Sequence, residues 1–169
     1  MSKNDSIMGP FWARYRQIED SNRGAVAAVR RIQVHENEVV YPAELHDVFQ
    51  VPFPRAPVVR DLTLGIVSLF PRGLSHTSGK EGKLGPSLGK ALRSIQTGRD
   101  EGKRRRCQIL MGGNDVYRAL RHMGGLLDMH QGTHVRADTD RLLWDLWHVM
   151  AQGDGERRRQ NWFIDFHTN

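Results

Sequence analysis

Asp138-Thr139-Asp140-Arg141-Leu142-Leu143-Trp144-Asp145-Leu146-Trp147-His148-Val149-Met150 is the stretch that decides the fold class. Leu142, Leu143, Leu146, Val149 and Met150 recur at helical steps, the pattern of an α-helix buried along one side. Asp138 stands in the N-cap position, where a short acceptor side chain satisfies a free N–H of the first turn. Asp140 adds a negative charge at the same helix start. Trp144 falls beside the apolar stripe rather than within it.

The same period recurs outward from this segment. Phe11, Trp12, Tyr15 and Ile18 form one stripe near the start of the chain. Ser21 or Asn22 caps a second helix that turns Ala25, Ala28, Val29 and Ile32 inward and leaves Arg23, Arg30 and Arg31 outside. Leu45, Val48 and Phe49 mark a short helix within a segment punctuated by Pro42, Pro52, Pro54 and Pro57. Pro57 suits the first turn of a helix carrying Val58, Val59, Leu62, Ile66 and Leu69. Pro86 opens another, with Leu88, Leu92 and Ile95 on one face and Lys90 and Arg93 on the other. A helix from about Asp100 to Met111 buries Cys107, Leu110 and Met111, and Gly112-Gly113 ends it. Asn114 or Asp115 then caps a helix with Val116, Leu120, Met123 and Leu127 inward and Arg118 and Arg121 presented together. The last helix begins near Asp154, with Trp162, Phe163 and Phe166 inward and Arg157, Arg158 and Arg159 in its first turns. Residues 71–86 and 128–137 read as loops, and no strand pair or repeat emerges. The expectation is an all-α, compact bundle of about eight helices. It forms one domain over residues 1–169, with an N-terminal cluster at about 10–70 and a C-terminal cluster at about 87–167 joined by the Gly/Lys-rich loop 71–86.

Charge is unevenly distributed. The chain has 25 Lys and Arg against 19 Asp and Glu, a formal net charge of +6. The stretch Lys80–Arg106 alone carries an excess of that size: Lys80, Lys83, Lys90, Arg93, Arg99, Lys103, Arg104, Arg105 and Arg106 against Glu81, Asp100 and Glu101. Positive charge concentrated in this way is the electrostatic footprint of a polyanion partner. The longest nearly apolar run, Leu62–Phe70, is far short of the roughly 20 residues that span a bilayer. Met1–Ser6 lacks the apolar core of a signal peptide. The lone Cys107 excludes an internal disulfide and fits a reducing, cytoplasmic setting.

Candidate chemistry is thin. His130 and His134 stand four apart with Asp128 nearby, but Gly132 and Thr133 between them work against helical presentation to a metal. The Gly-rich run Gly79–Ala91 falls short of a phosphate loop: Gly85 to Gly89 is one residue too close, and Ala91 replaces the metal-binding hydroxyl. Asp138/Asp140 and Asp154/Glu156 sit where helices start, so capping explains them better than acid–base catalysis. Trp144, Trp147 and Trp162/Phe163 fit helical packing better than base stacking. No catalytic residue, metal or cofactor is expected.

The basic clusters are more telling. Arg30/Arg31, Lys90/Arg93, Arg118/Arg121 and Arg157/Arg158/Arg159 lie on the outer faces of separate helices, in addition to the run Lys103–Arg106. Arginine predominates, which favours fork-like contacts to phosphate. No helix shows the Asn/Gln/Arg mix that reads base edges, so backbone binding without sequence choice is expected.

The order of motifs then resembles a known family. An aromatic first helix precedes Arg23-Gly24-Ala25-Val26-Ala27-Ala28-Val29-Arg30-Arg31. Ser87-Leu88-Gly89-Lys90-Ala91-Leu92, Arg105-Arg106-Cys107-Gln108-Ile109-Leu110, and Leu120-Arg121 with Leu126-Leu127 follow. Arg157-Arg158-Arg159-Gln160-Asn161-Trp162-Phe163-Ile164-Asp165-Phe166 closes the series. Together they resemble the CasB family, the small (inner) subunit of Cascade, the type I-E CRISPR surveillance complex. The likeness is thin from Gln33 to Arg60. It implies an all-helical, non-enzymatic subunit, present with a second copy of itself and bracing the crRNA-bearing backbone subunits and the large subunit. It also implies basic surface for both strands of the target DNA once the R-loop opens. Carried onto this chain, the contacts are Arg30, Arg31, Lys90, Arg105, Arg106, Arg121, Arg157 and Arg159. His122 departs from the pattern, standing where relatives often place a second basic residue. Two other classes stay open from the residues alone: a free-standing helical DNA- or RNA-binding regulator, and a small helical enzyme using His130 or His134.

Overall fold

Three side-chain caps start three of the helices as their sequences require. Asn22 accepts the N–H of Ala25, Asp115 that of Arg118, and Asp138 that of Arg141. Pro57 occupies the first turn of a fourth, where its missing N–H costs nothing. The computed structural model describes residues 6–80, 83–95, 101–130, 134–151 and 155–168. Among them the helices are α1 (Met8–Ile18), α2 (Arg23–Arg30), α3 (Leu45–Phe49), α4 (Pro57–Val67), α5 (Leu88–Ile95), α6 (Glu101–Gly112), α7 (Val116–Met129), α8 (Thr139–Met150) and α9 (Gly155–His167). The fold is all-α. The expected starts of α6 near Asp100 and of α9 near Asp154 lie outside the described residues.

The apolar stripes face inward, except at the start of α4, where Val58 is exposed and Val59 only half-buried because the buried face of that helix begins at Leu62. Leu62 through Val67 of α4 are all buried, so this helix is surrounded, and it packs against α7 and α8. Buried apolar side chains from Met8 to Phe166 form one contiguous cluster. Both Leu142 and Leu146 of α8 lie in it, at 1% exposure. None of the described helices is long and apolar enough to cross a membrane.

Two short strand pairs appear where the sequence showed none. β1 (Gln33–Val34) runs antiparallel to β2 (Val39–Val40), and β3 (Leu74–His76) runs parallel to β4 (Val135–Ala137). Strands of two or three residues are too short to display an alternating period, so their absence from the sequence reading has a simple cause. The segment read as a loop from residue 71 therefore begins as ordered backbone. A 3-10 turn, Phe70–Arg72, ends at Gly73 with φ 108°, a conformation glycine adopts without strain, and β3 follows. Likewise the expected loop 128–137 gives its first residues to α7 and its last to β4.

This architecture sets the neighbours of the basic helices. α5 packs mainly on α9, α6 contacts α5, α7 and α9, and α8 lies against α9. α2 packs on α1, α3 and the 3-10 turn, and that turn also touches α7.

Candidate nucleic-acid interface

Ser87 seats α5 on α9. Its hydroxyl accepts the N–H of Lys90 at 3.3 Å and donates to the Asp165 carboxylate of α9. Gly89 lets the two backbones meet: a Cβ there would overlap the Trp162 carbonyl oxygen. With this face inward, Lys90 is exposed and Arg93 is half-buried, its Nη1 donating to the Thr168 carbonyl just past α9.

On α6, Cys107, Leu110 and Met111 anchor the helix, and Arg104, Arg105 and Arg106 project into solvent. The Arg106 Nη1 lies 2.8 Å from the Met129 sulfur. Burial pushes the Cys107 thiol up to about 11, so it remains a neutral core residue rather than a nucleophile.

Consecutive helical residues point about 100° apart, so the three arginines opening α9 cannot share a face. Arg157 is exposed and Arg159 is half-buried, whereas Arg158 turns to α8 and pairs with the buried Asp145 at 2.5 Å. Asp145 also accepts the indole N–H of Trp162 at 2.9 Å. That arrangement gives Arg158 a packing role that its neighbours lack. Among the described residues none of Lys90, Arg105, Arg106, Arg157 and Arg159 is paired with a carboxylate.

The other clusters sit on α2 and α7, and α7 contacts α6 so that Arg118 lies beside Ile109 and Leu110. Arg118 and Arg121 diverge: the Nε of Arg118 donates to His122 at 3.2 Å, and Nη1 of Arg121 donates to the His35 carbonyl at 2.8 Å. Arg31 pairs with Glu44, both exposed. Arg30 lines a groove of about 350 Å³ with Ile32, Ser68, Pro71, Arg72 and Asp128. Arg72 carries no signal in the sequence, because its place in this groove depends on what α2 and α7 put beside it.

A larger open groove of about 660 Å³ lies between α8 and α9, walled by Trp144, His148, Arg157 and Asn161 among others. Trp144, the residue outside the apolar stripe, is half-buried here, with its Nε1 buried and unpartnered among the described residues. The groove's carboxylates serve the fold. Asp140 accepts the N–H groups of Ile7 and Met8, Asp138 those of Gly85 and Arg141, and Asp145 holds Arg158.

His76, Asp138 and Asp140 bring ligand atoms within 4.8 Å of one another. Each of the three already has a structural partner, the acids accepting the backbone N–H groups just named and His76 Nδ1 facing Thr139. Asp138 caps α8 and Asp140 the start of α1. His130 ends α7 and is half-buried, and His134 is exposed; Gly132 and Thr133 between them, like Glu81 and Gly82 of the Gly-rich run, lie outside the described residues.

Residues 24–167 match the family described as CRISPR-associated protein Cse2. No curated protein and no solved structure matches the chain. The match covers α2 through α9, and so takes in every basic cluster described above. The chain therefore belongs to the Cse2 family, that of the small subunit of the type I-E Cascade complex.

Proposed function

We propose that this Cascade subunit is non-catalytic and holds nucleic-acid backbone without reading sequence. In this reading it braces the crRNA-bearing assembly and steadies the target and displaced DNA strands of the R-loop. The backbone subunits, the large subunit and a second copy of the chain are its protein partners. Lys90, Arg105, Arg106, Arg157 and Arg159 are the principal contacts, with Arg30, Arg31, Arg93, Arg118 and Arg121 contributing from neighbouring surfaces. Arg158 acts by fixing α9.

One observation carries the reading: α5, α6 and α9 pack on one another and bear five basic side chains that no described carboxylate neutralises. Charges left unpaired on adjoining helices suit phosphates, which release condensed counterions on binding. Opening a guided R-loop is nearly balanced energetically, so modest contacts to backbone are enough to shift it.

The test is Arg105→Ala/Arg106→Ala in the assembled complex, with target-DNA affinity measured across a salt series. The expected result is weaker binding and a shallower salt slope. Unchanged affinity and slope would remove this patch from the interface.

A further inference from the structure

The groove shared by Arg30 and Arg72 lies where three elements meet: the end of α2, the 3-10 turn before Gly73, and the last turns of α7. Arg72 crosses α7 at Gly124, where a Cβ would overlap its Nη1. One turn further along α7, Asp128 Oδ1 lies 3.7 Å from Arg72 Nε. The Nε edge of the guanidinium thus faces a carboxylate, and the side chain is laid flat on the helix at a residue without a side chain. Among the described residues Arg30, which lines the same groove, makes no ion pair.

We infer that this groove binds a backbone phosphate of a nucleic-acid strand between Arg30 and Arg72, with Gly124 as the positioning residue that sets Arg72 in place. The inference rests on the proposed function and adds a site to it. Two guanidiniums against one carboxylate leave the groove with a net positive charge, and about 350 Å³ admits a phosphodiester. Guanidinium forks match phosphate oxygens in pairs, which a single lysine cannot do. The Arg72–Asp128 pair is open to solvent, its side chains 47% and 57% exposed, so the attraction is weak and a phosphate can compete for the guanidinium.

Gly124 allows an unusually clean test. The atom a Cβ would meet is the far end of a flexible side chain, so alanine is accommodated by moving Arg72 away. Alanine also favours the helix over glycine. Gly124→Ala should therefore leave the subunit at least as stable while displacing a charge that is still present. Stability and binding are expected to move in opposite directions, which a purely structural role for Gly124 would not produce.

The experiment measures binding of a matched target duplex by assembled complexes carrying Gly124→Ala, Arg72→Gln, Asp128→Asn or Arg105→Ala/Arg106→Ala, each over a salt series. Thermal melting of each isolated subunit accompanies it. Gly124→Ala and Arg72→Gln should each bind about threefold to tenfold more weakly, with a salt slope flatter by about one, as expected for one lost phosphate contact. Asp128→Asn should bind at least as tightly as the parent. Parental affinity in Gly124→Ala and Arg72→Gln, with Arg105→Ala/Arg106→Ala weakened, would overturn the groove alone. Parental affinity in all of them would overturn the wider reading and the groove with it. Failure of Arg72→Gln to enter the complex would also overturn the site, making the groove a contact between subunits.

Discussion

The carboxylate of Asp140, in the first turn of α8, accepts the backbone N–H of Met8 at 2.9 Å and so caps α1 from the far end of the chain. Ile7 donates to the same oxygen at 3.0 Å. The acid lies at the start of one helix and serves another.

Replacing it with alanine orphans two N–H groups at a helix start where Met8 is fully buried. Asp140→Ala should therefore cost about 1–3 kcal/mol, and Asp140→Asn, which keeps an acceptor oxygen, less. Urea unfolding of the isolated subunit measures both. A loss below about 0.5 kcal/mol for the alanine variant, the range of ordinary surface changes, would show that α1 does not depend on this cap.

Gly89 and Gly65 should respond differently to alanine. At Gly89 the obstacle is backbone, the Trp162 carbonyl, and α5 must move off α9 to relieve it. A loss of about 2–4 kcal/mol is expected, as for overpacking of a helix contact. At Gly65 the first obstacle is Leu120 Cδ1 at 2.6 Å, a side chain able to turn, and the loss should be smaller. Comparing the two melting temperatures decides it, and equal shifts would contradict the argument.

Neighbouring arginines of α9 should separate stability from binding. Arg158→Ala leaves the carboxylate of Asp145, 7% exposed, with the indole N–H of Trp162 as its remaining described partner. Because the Arg158 side chain is itself partly solvated, a loss of about 1–3 kcal/mol is expected rather than the full cost of breaking a buried pair. Arg157→Ala should leave stability within about 0.5 kcal/mol and weaken DNA binding by the complex. Denaturation curves showing the reverse order would refute the division of roles.

His76 makes stability depend on pH. Burial holds its pKa below the usual 6.5, against the opposing pull of Asp140 and Asp138. Its Nδ1 accepts the N–H of Thr139 at 3.2 Å, which a protonated ring cannot do there. The unfolded chain takes up this proton near pH 6.5 and the folded chain only at lower pH. The contribution is thus complete above about 6.5 and is lost as pH falls toward the folded value. Urea midpoints at about pH 7.5 and 5.5 should differ more for the parent than for His76→Gln, and an unchanged difference would assign the effect elsewhere.

What could be read from the sequence was local. Asn22, Asp115 and Asp138 cap the helices they precede, because a cap and its N–H lie within three residues. The stripes through Leu120, Leu142 and Trp162 are buried because 3.6-residue periodicity survives any arrangement of neighbours. Which of Arg157, Arg158 and Arg159 turns inward depends on how α9 lies against α8, and no pattern within α9 records that. Arg118 and Arg121 were grouped by spacing, yet His35 draws one of them aside. Arg72 gave no signal, since its place depends on Gly124, 52 residues further along the chain. The basic helices were thus visible individually, and their grouping emerged only from packing.

The pairing of β3 with β4 has a consequence for how the chain is made. Leu74 lies opposite Val135 in a parallel register, so the first strand leaves the ribosome well before its partner exists. Until then Leu74, buried in the finished protein, has no ladder to join. Contacts this distant in sequence are slow to form and leave apolar segments open to wrong partners. Nascent chains stalled before Val135 should therefore be the species that chaperones hold, and release should coincide with delivery of the last two helices.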